Sequence, residues 1–310
     1  MSLHSKQTNF WLITCFVFLW NSGFIGAEYG LPYARTFTLL FYRYLALTVL
    51  IFLYLNLRKR FIWVGWGYAR NQMLIGVLAH GVWLSCVLIA VEYGVPSGIV
   101  ALVVALQPLA TGALSGVVVG ERTSWNQWLG LIVGFLGVAF TVVARINFHD
   151  SAEVFAWFIP LGSVIAITAA SLFQRKLSLK KEYSTVSKGV SLFYQSLATT
   201  VAVIVPAIVV ERLSVEWSPV FVSALLWLVV AVSLGAYIVM WVLIDRIDAT
   251  KVASLFYLGP PVTMLMTWIA FGDTVQITDL MGLAIVFVGV LVTYLRYPVI
   301  SKPKTVRYRR

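Results

Sequence analysis

Residues 100–141 of this chain recur 152 positions later. Slid along itself without a gap, the sequence sets Val100 on Val252, Leu106 on Leu258, Pro108 on Pro260, Thr111 on Thr263 and Gly120 on Gly272. Further on, Gly130 falls on Gly282, Gly137 on Gly289 and Thr141 on Thr293, while Glu121 falls on Asp273. Earlier, Phe41-Tyr42-Arg43-Tyr44-Leu45-Ala46 falls on Phe193-Tyr194-Gln195-Ser196-Leu197-Ala198. One unit is used twice, so whatever one half folds into, the other half folds into as well.

The unit is hydrophobic. Only 11% of the 310 residues are charged and 60% are hydrophobic, with a mean hydropathy of +0.90, whereas soluble domains carry roughly 25% charged residues. The apolar excess must face lipid. A helix needs about 20 apolar residues to span a bilayer, and ten runs meet or approach that length: 10–26, 36–55, 73–91, 97–119, 125–143, 154–173, 187–210, 220–243, 252–271 and 277–295. They are too long for barrel strands and do not alternate, so the expected fold is an all-α polytopic membrane protein of ten transmembrane helices. The run after Lys6 lacks a small-residue cleavage site and is followed by further spans, which makes it the first helix and not a secretory signal.

Each repeat holds five runs, and an odd number forces the second repeat to start on the opposite side from the first. The two five-helix repeats therefore have inverted topology. With the N-terminus in the cytoplasm, 19 of the 23 Lys and Arg residues fall in cytoplasmic segments, so both termini are expected there. The net charge of +11 is then a topology signal, with no nucleic-acid partner implied. The expected organisation is a cytoplasmic N-terminus (1–9), a first repeat (10–144), a second repeat (154–296) and a basic cytoplasmic tail (297–310). That tail is a stop-transfer flank that also reaches anionic lipid. Cys15 and Cys86 lie in apolar runs and read as small hydrophobes. The loops are too short for a soluble domain, so function rests on the helices.

Several intramembrane residues stand out. Pro108 and the pair Pro260-Pro261 interrupt the fourth and ninth helices, as hinges beside a binding site or as packing kinks. Gln107, Thr111 and Ser115 share one face of the fourth helix, and the repeat places Gly259, Thr263 and Thr267 on the ninth. These stripes either line a cavity or bond across packed helices. His80 reads as a proton relay, a substrate ligand or a neutral imidazole on a neighbouring hydroxyl. Arg43 reads as a partner for a substrate carboxylate, or as a snorkelling side chain paired with Glu28. Glu92 and Glu28 lie near outer helix ends. Trp20, Trp83, Tyr257 and the face Ser233, Tyr237, Trp241 offer stacking surfaces, whereas Trp63, Trp66, Trp125 and Trp217 fit an interfacial belt. Gly112, Gly116, Gly120 and Gly130, Gly134, Gly137 allow close helix packing. Ser124 to Gln127 reads as a capping box, with Glu121 at the preceding turn, paired with Arg122 or Lys251.

The run Leu106-Gln107-Pro108 through Gly120-Glu121-Arg122, then Gln127-Trp128-Leu129-Gly130 and Gly137-Val138, resembles the EamA repeat of the drug/metabolite transporter superfamily. So do Trp20-Asn21-Ser22-Gly23-Phe24 and Arg43. The second copy departs from the pattern, with Gly259-Pro260-Pro261 and Gly272-Asp273-Thr274. The resemblance implies a ten-helix, basket-shaped carrier in a bacterial inner membrane. Its third, fourth, eighth and ninth helices, with parts of the first and sixth, would enclose a central cavity that includes Asn21.

The expected function is a secondary transporter, not an enzyme and without a cofactor, exporting amino acids or related small metabolites by alternating access. The two halves would rock about the prolines. His80 or Glu92 would carry protons if transport is coupled, and Arg43 is a further charged candidate. The partners are a small-molecule substrate and membrane lipid, and the assembly is a monomer or a homodimer. A lipid-handling or accessory membrane protein, or an importer of another small solute, stands as the alternative. No phosphate-binding loop for ATP occurs in the sequence, and no histidine, carboxylate or metal motif suggests a membrane-embedded enzyme.

Overall fold

The structure, a computed structural model, describes residues 3–120, 124–145, 151–179, 186–246, 252 and 255–294. Glu121, Arg122, Lys251, His149 and the basic tail lie outside the described residues. The described chain is all-helical. Its elements are α1 (Leu3–Gly30), α2 (Thr36–Leu57), α3 (Trp66–Glu92), α4 (Ser97–Val119), α5 (Trp125–Arg145), α6 (Ser151–Ser178), α7 (Lys188–Val209), α8 (Pro219–Leu243), α9 (Leu255–Phe271) and α10 (Ile277–Tyr294). Eight of them are long and apolar enough to cross a membrane, and α9 and α10 are shorter apolar helices. In hydrocarbon only internally bonded backbone is tolerated, which is why apolar runs of this length become helices.

Helix α3 starts at Trp66, earlier than hydropathy suggests. Arg70, Asn71 and Gln72 lower the local average, yet Gln72 is fully buried and accepts from Gln195 Nε2 at 2.7 Å. Packing against α7 extends the helix where composition argues for a loop.

Four helices are irregular, in pairs that the repeat relates. Helix α3 widens to π-helix at Val77–Val82, and α8 does so at Trp227–Ala236. Helix α4 breaks at Ala105, between Ser97–Val104 and Leu106–Val119. In α9 a 3-10 turn, Leu255–Leu258, precedes the α-helix Gly259–Phe271. The prolines account for both breaks. Pro108 cannot donate to Val104, and Pro260 and Pro261 occupy the first turn of a new helix segment, where a donor is not needed. Helix ends repeat as well. Gly120 and Gly272 close α4 and α9 with φ of 82° and 76°, a left-handed conformation that glycine adopts without strain. Ser124 N donates to Gln127 Oε1 at 2.7 Å, and Gln276 N donates to Asp279 Oδ2 at 2.8 Å, so the same half of a capping box, the side chain reaching back to the cap N–H, is built twice.

The helices pack by exchange between halves. Helix α1 packs on α8 and α9, and at the repeat offset α6 packs on α3 and α4. Helices α2 and α7 pair, with Thr48 and Thr200, 152 residues apart, meeting through their hydroxyls at 3.5 Å. The most extensive contact joins α5 and α10, where glycines let the backbones touch. A Cβ at Gly289 would lie 2.6 Å from the Gly130 carbonyl oxygen and 2.7 Å from Gly134 N.

At one end of the bundle carboxylates tie the helices together. Glu92 accepts from Arg35 Nε (2.6 Å), Thr36 N (3.1 Å) and Thr36 Oγ1 (2.7 Å). Glu211, itself buried, accepts from Phe37 N (3.0 Å), Thr38 N (2.7 Å) and Thr38 Oγ1 (2.8 Å). The first turn of α2 is therefore capped by two carboxylates, one from each half, which suits its exposed donors and dipole. At the same end Arg145 pairs with Asp279, and Ser97 Oγ donates to Glu28 at 2.6 Å.

The glycine contact yields a direct expectation. Gly289→Ala should destabilise the protein by about 1–3 kcal/mol, since backbone has to move to admit the methyl group. Gly67→Ala, with nothing within 4 Å of the added carbon, should not. Thermal unfolding in detergent checks both, and equal midpoints for the two variants would contradict the packing described.

Candidate functional site

A cavity of about 500 Å³ lies between the bundle of α1, α8 and α9 and the bundle of α3, α4 and α6, with α7 along one side. Its wall takes Trp20 from α1, His80 and Trp83 from α3, Gln107 from α4, Ser171 and Gln174 from α6, Gln195 from α7, Tyr237 and Trp241 from α8 and Phe256 from α9. It extends to the first turns of α7, where Lys188 stands 5.9 Å from the centre of the Trp241 ring. Toward the carboxylate end the bundles meet. There Gly98 of α4 packs so closely on Met264 of α9 that a Cβ would come within 2.6 Å of the Met264 Cγ.

Aromatic rings partition the inner end of this cavity. Trp20 stacks on Trp83 with centroids 6.2 Å apart and planes at 22°, and also meets Tyr237 at 5.6 Å and Phe256 at 5.0 Å. Behind the rings lies a second void of about 70 Å³, walled by Trp20, Trp83, Tyr237, Arg43 and Tyr44 among others. A third, of about 40 Å³, is lined by Asn21, Gln107, Pro108 and Gly259. The breaks in α4 and α9 thus face a common space beside α1.

The polar groups form two short chains related by the repeat. In one, Gln195 of α7 bonds Gln72 of α3 and meets His80 Nε2, in the α3 π-segment, at 3.2 Å. His80 Nδ1 lies 3.5 Å from the Tyr237 hydroxyl. In the other, Arg43 of α2, the repeat counterpart of Gln195, donates from Nε to Ser233 Oγ in the α8 π-segment at 3.0 Å. Both His80 and Arg43 are buried. A π-turn displaces side chains from the regular helical register, and such turns occur frequently at functional sites.

The sequence-derived candidates divide by position. Trp20, His80, Trp83, Gln107, Tyr237 and Trp241 meet in the main cavity. Gln107 Nε2 donates to Thr111 Oγ1 (3.3 Å) and Ser171 Oγ (3.2 Å), holding α4 to α6. Asn21 and Pro108 line the void at the helix breaks, and Asn21 Oδ1 accepts from Thr263 Oγ1 at 3.2 Å. Arg43 lines the void behind the rings. Ser115 and Thr267 are turned to carbonyls of their own helices, those of Gly112 and Met264. Tyr257 packs against the main core outside the cavity wall. Pro260 is buried and Pro261 exposed, both at the start of the Gly259–Phe271 segment. Glu92 stands apart from the cavity, at the cap of α2.

Gln195, Gln72, Gln174, Ser171 and Tyr44 belong to the site without having been singled out. The repeat alignment held the clue to Gln195, since it falls on Arg43. Trp83 Nε1 and Gln174 Oε1 are buried and have no protein partner, which leaves a donor and an acceptor on cavity-lining residues.

The model of a family described as the EamA-like transporter family matches residues 8–143 and 152–295. An uncharacterized transporter of Bacillus subtilis is 25% identical over 199 residues, 63% of this chain and 62% of that protein's length. A probable amino-acid metabolite efflux pump of Salmonella typhimurium is 21% identical over 211 residues, covering 66% of this chain and 69% of that one. A solved crystal structure superposes with a TM-score of 0.63 at 18% identity, covering 93% of this chain and 97% of the other, and so shows the same fold.

The bond between α1 and α9 is open to a double-mutant cycle. Asn21→Ala should destabilise the protein, and the added loss should shrink when Thr263 is already Val. The coupling should be about 0.6 kcal/mol, the average for hydrogen bonds between membrane helices. Strict additivity would mean that the two side chains do not interact.

Proposed function

The chain belongs to the EamA-like transporter family, and on that footing we propose that it is a secondary transporter exporting amino acids or related small metabolites across a bacterial inner membrane by alternating access. The observation that carries the reading is the cavity of about 500 Å³ whose walls come from both repeats, beside helices interrupted at repeat-related positions. Discontinuous helices at corresponding places in two halves are what transporter sites at a bilayer midplane are built from. The name of the Salmonella relative supports the export of amino-acid metabolites.

In this reading the ten helices form two inverted repeats with cytoplasmic termini. The exchange of contacts supports it: α1 with α8 and α9, α6 with α3 and α4, and Thr48 with Thr200. The carboxylate end then faces outward and the mouth near Lys188 faces the cytoplasm, so this conformation is open inward. The bodies that rock are the bundle of α1, α8 and α9 and the bundle of α3, α4 and α6, with Pro108, Pro260 and Pro261 at the breaks. Where transport is coupled to protons, His80 in the cavity wall and Glu92 at the outer cap are the groups that carry them.

Two experiments test the reading. The purified protein should be thermally stabilised by several degrees by at least one solute from a panel of amino acids and small metabolites, with the shift lost in Gln107→Ala or His80→Ala. Proteoliposomes loaded with that solute should release it faster than protein-free liposomes. Stabilisation by specific lipids alone, with no water-soluble solute effective, would favour a lipid-handling protein instead.

A further inference from the structure

Arg43 is a buried cation with no carboxylate partner among the described residues. It is 6% exposed, inside α2, and its guanidinium donates from Nε to the neutral Ser233 hydroxyl and lies 5.6 Å from the centre of the Tyr44 ring. No carboxylate among the described residues lies within ion-pair distance of it. Glu92, Glu211 and Asp279 are each bonded to other groups at the carboxylate end, and Glu28 accepts from Ser97. Snorkelling or pairing with Glu28 therefore does not account for its position. An arginine cannot shed its proton to escape burial, and a buried charge whose partners are a neutral hydroxyl and a ring face, with no counter-ion, is costly.

The repeat provides an internal control. At the equivalent position in the second half stands Gln195, which meets the π-segment of α3 as Arg43 meets that of α8. A neutral amide suffices there to join the helices. The positive charge in the first half thus serves something other than packing.

What surrounds Arg43 indicates its partner. It lines a void of about 70 Å³ immediately behind the Trp20, Trp83 and Tyr237 rings, and those rings also wall the main cavity. A second cation, Lys188, stands at the mouth of that cavity, and no acidic residue lines either space among the described residues. The inner end offers one fixed charge in a small space between aromatic faces.

We propose that the transported solute is a monocarboxylate with an apolar or aromatic body, its carboxylate seated on the Arg43 guanidinium and its body stacked on Trp20 and Trp83. This deepens the transport reading above and rests on it. One guanidinium in so small a void balances one negative charge, which disfavours a doubly charged phosphate. An α-ammonium is accommodated by the aromatic faces, whereas a solute whose net charge is positive finds no counter-charge. A carboxylate can accept two parallel hydrogen bonds from the guanidinium and neutralise its charge, whereas the amide isostere offers one acceptor oxygen and no charge.

The test is binding to the full-length protein in detergent, read by tryptophan fluorescence and thermal shift. The probes are phenylacetate, phenylalanine, phenylacetamide and phenethylamine, each against wild type, Arg43→Gln, Arg43→Lys and Gln107→Ala. The proposal expects the two carboxylates to bind wild type at least tenfold more tightly than the amide and the amine. Arg43→Gln should lose that preference without a lower unfolding midpoint, and Arg43→Lys should keep part of it. Equal binding of acid and amide by wild type, or unchanged acid binding by Arg43→Gln, overturns the proposal. If Arg43→Gln does not fold, the acid-to-amide ratio of wild type decides alone. Binding of the amide or amine in preference to the acids, sensitive to Gln107→Ala, removes the carboxylate inference and leaves the transport reading standing. If none of the four binds, the proposal falls. The transport reading falls with it only if the wider solute panel is also inert while lipids stabilise the protein.

Discussion

A peptide group inside hydrocarbon has no water to bond, and every other feature of this protein follows from that constraint. Regular helix satisfies it along most of each segment. Among the described residues the backbone departs from regular α-helix within four helices, at Val77–Val82, Trp227–Ala236, Ala105 and Leu255–Leu258, and all four border the interior cavities, while Pro160 and Pro206 each remove one donor inside helices that stay regular. Irregular backbone is tolerated in a membrane where protein or a cavity covers it. The irregularities therefore mark where the interior is, independently of any side chain.

Duplication then explains both the symmetry of the scaffold and the places where it is broken. Caps, breaks and π-segments occur twice because one unit is used twice, and α2 and α7, counterparts of each other, pair across the repeat. Charge does not follow the duplication. Arg43 has Gln195 as its counterpart, and Glu211 has Lys59. The double carboxylate cap on α2 therefore exists at one end only, and the cation at one side of the cavity only. The scaffold is symmetric, while the charges at its carboxylate end and beside its cavity are not.

Much of this was legible in the sequence, for physical reasons that differ by feature. The breaks at Pro108 and Pro260 could be read because proline lacks a donor wherever it stands, whereas Gly120, read from its spacing as a packing glycine, has nothing within 4 Å of an added Cβ and instead closes α4 in left-handed backbone, as Gly272 closes α9. The aromatic wall of Trp20, Trp83, Tyr237 and Trp241 was visible as large side chains within apolar runs. Ser115 and Thr267 were harder: a short hydroxyl in a helix can bond its own preceding turn, so helical spacing does not reveal which way it serves. Gln72 and the start of α3 were hidden because a polar helical turn reads as loop unless its partner, here Gln195, is known. Glu211 gave no cue either, since it caps a helix 173 residues earlier in the chain.

The central claim is that the two bundles move against each other about one cavity, so that closure at one end accompanies opening at the other. Pulsed electron paramagnetic resonance on paired spin labels reports this most directly. One pair would sit at Tyr93 and Trp217, on the carboxylate end, and the other at Leu179 and Arg246, at the cavity mouth, all of them exposed positions. The account predicts that adding a transported solute, or a pH step, lengthens the first distance as it shortens the second. Distances that both stay fixed, or that change in the same sense, would contradict it.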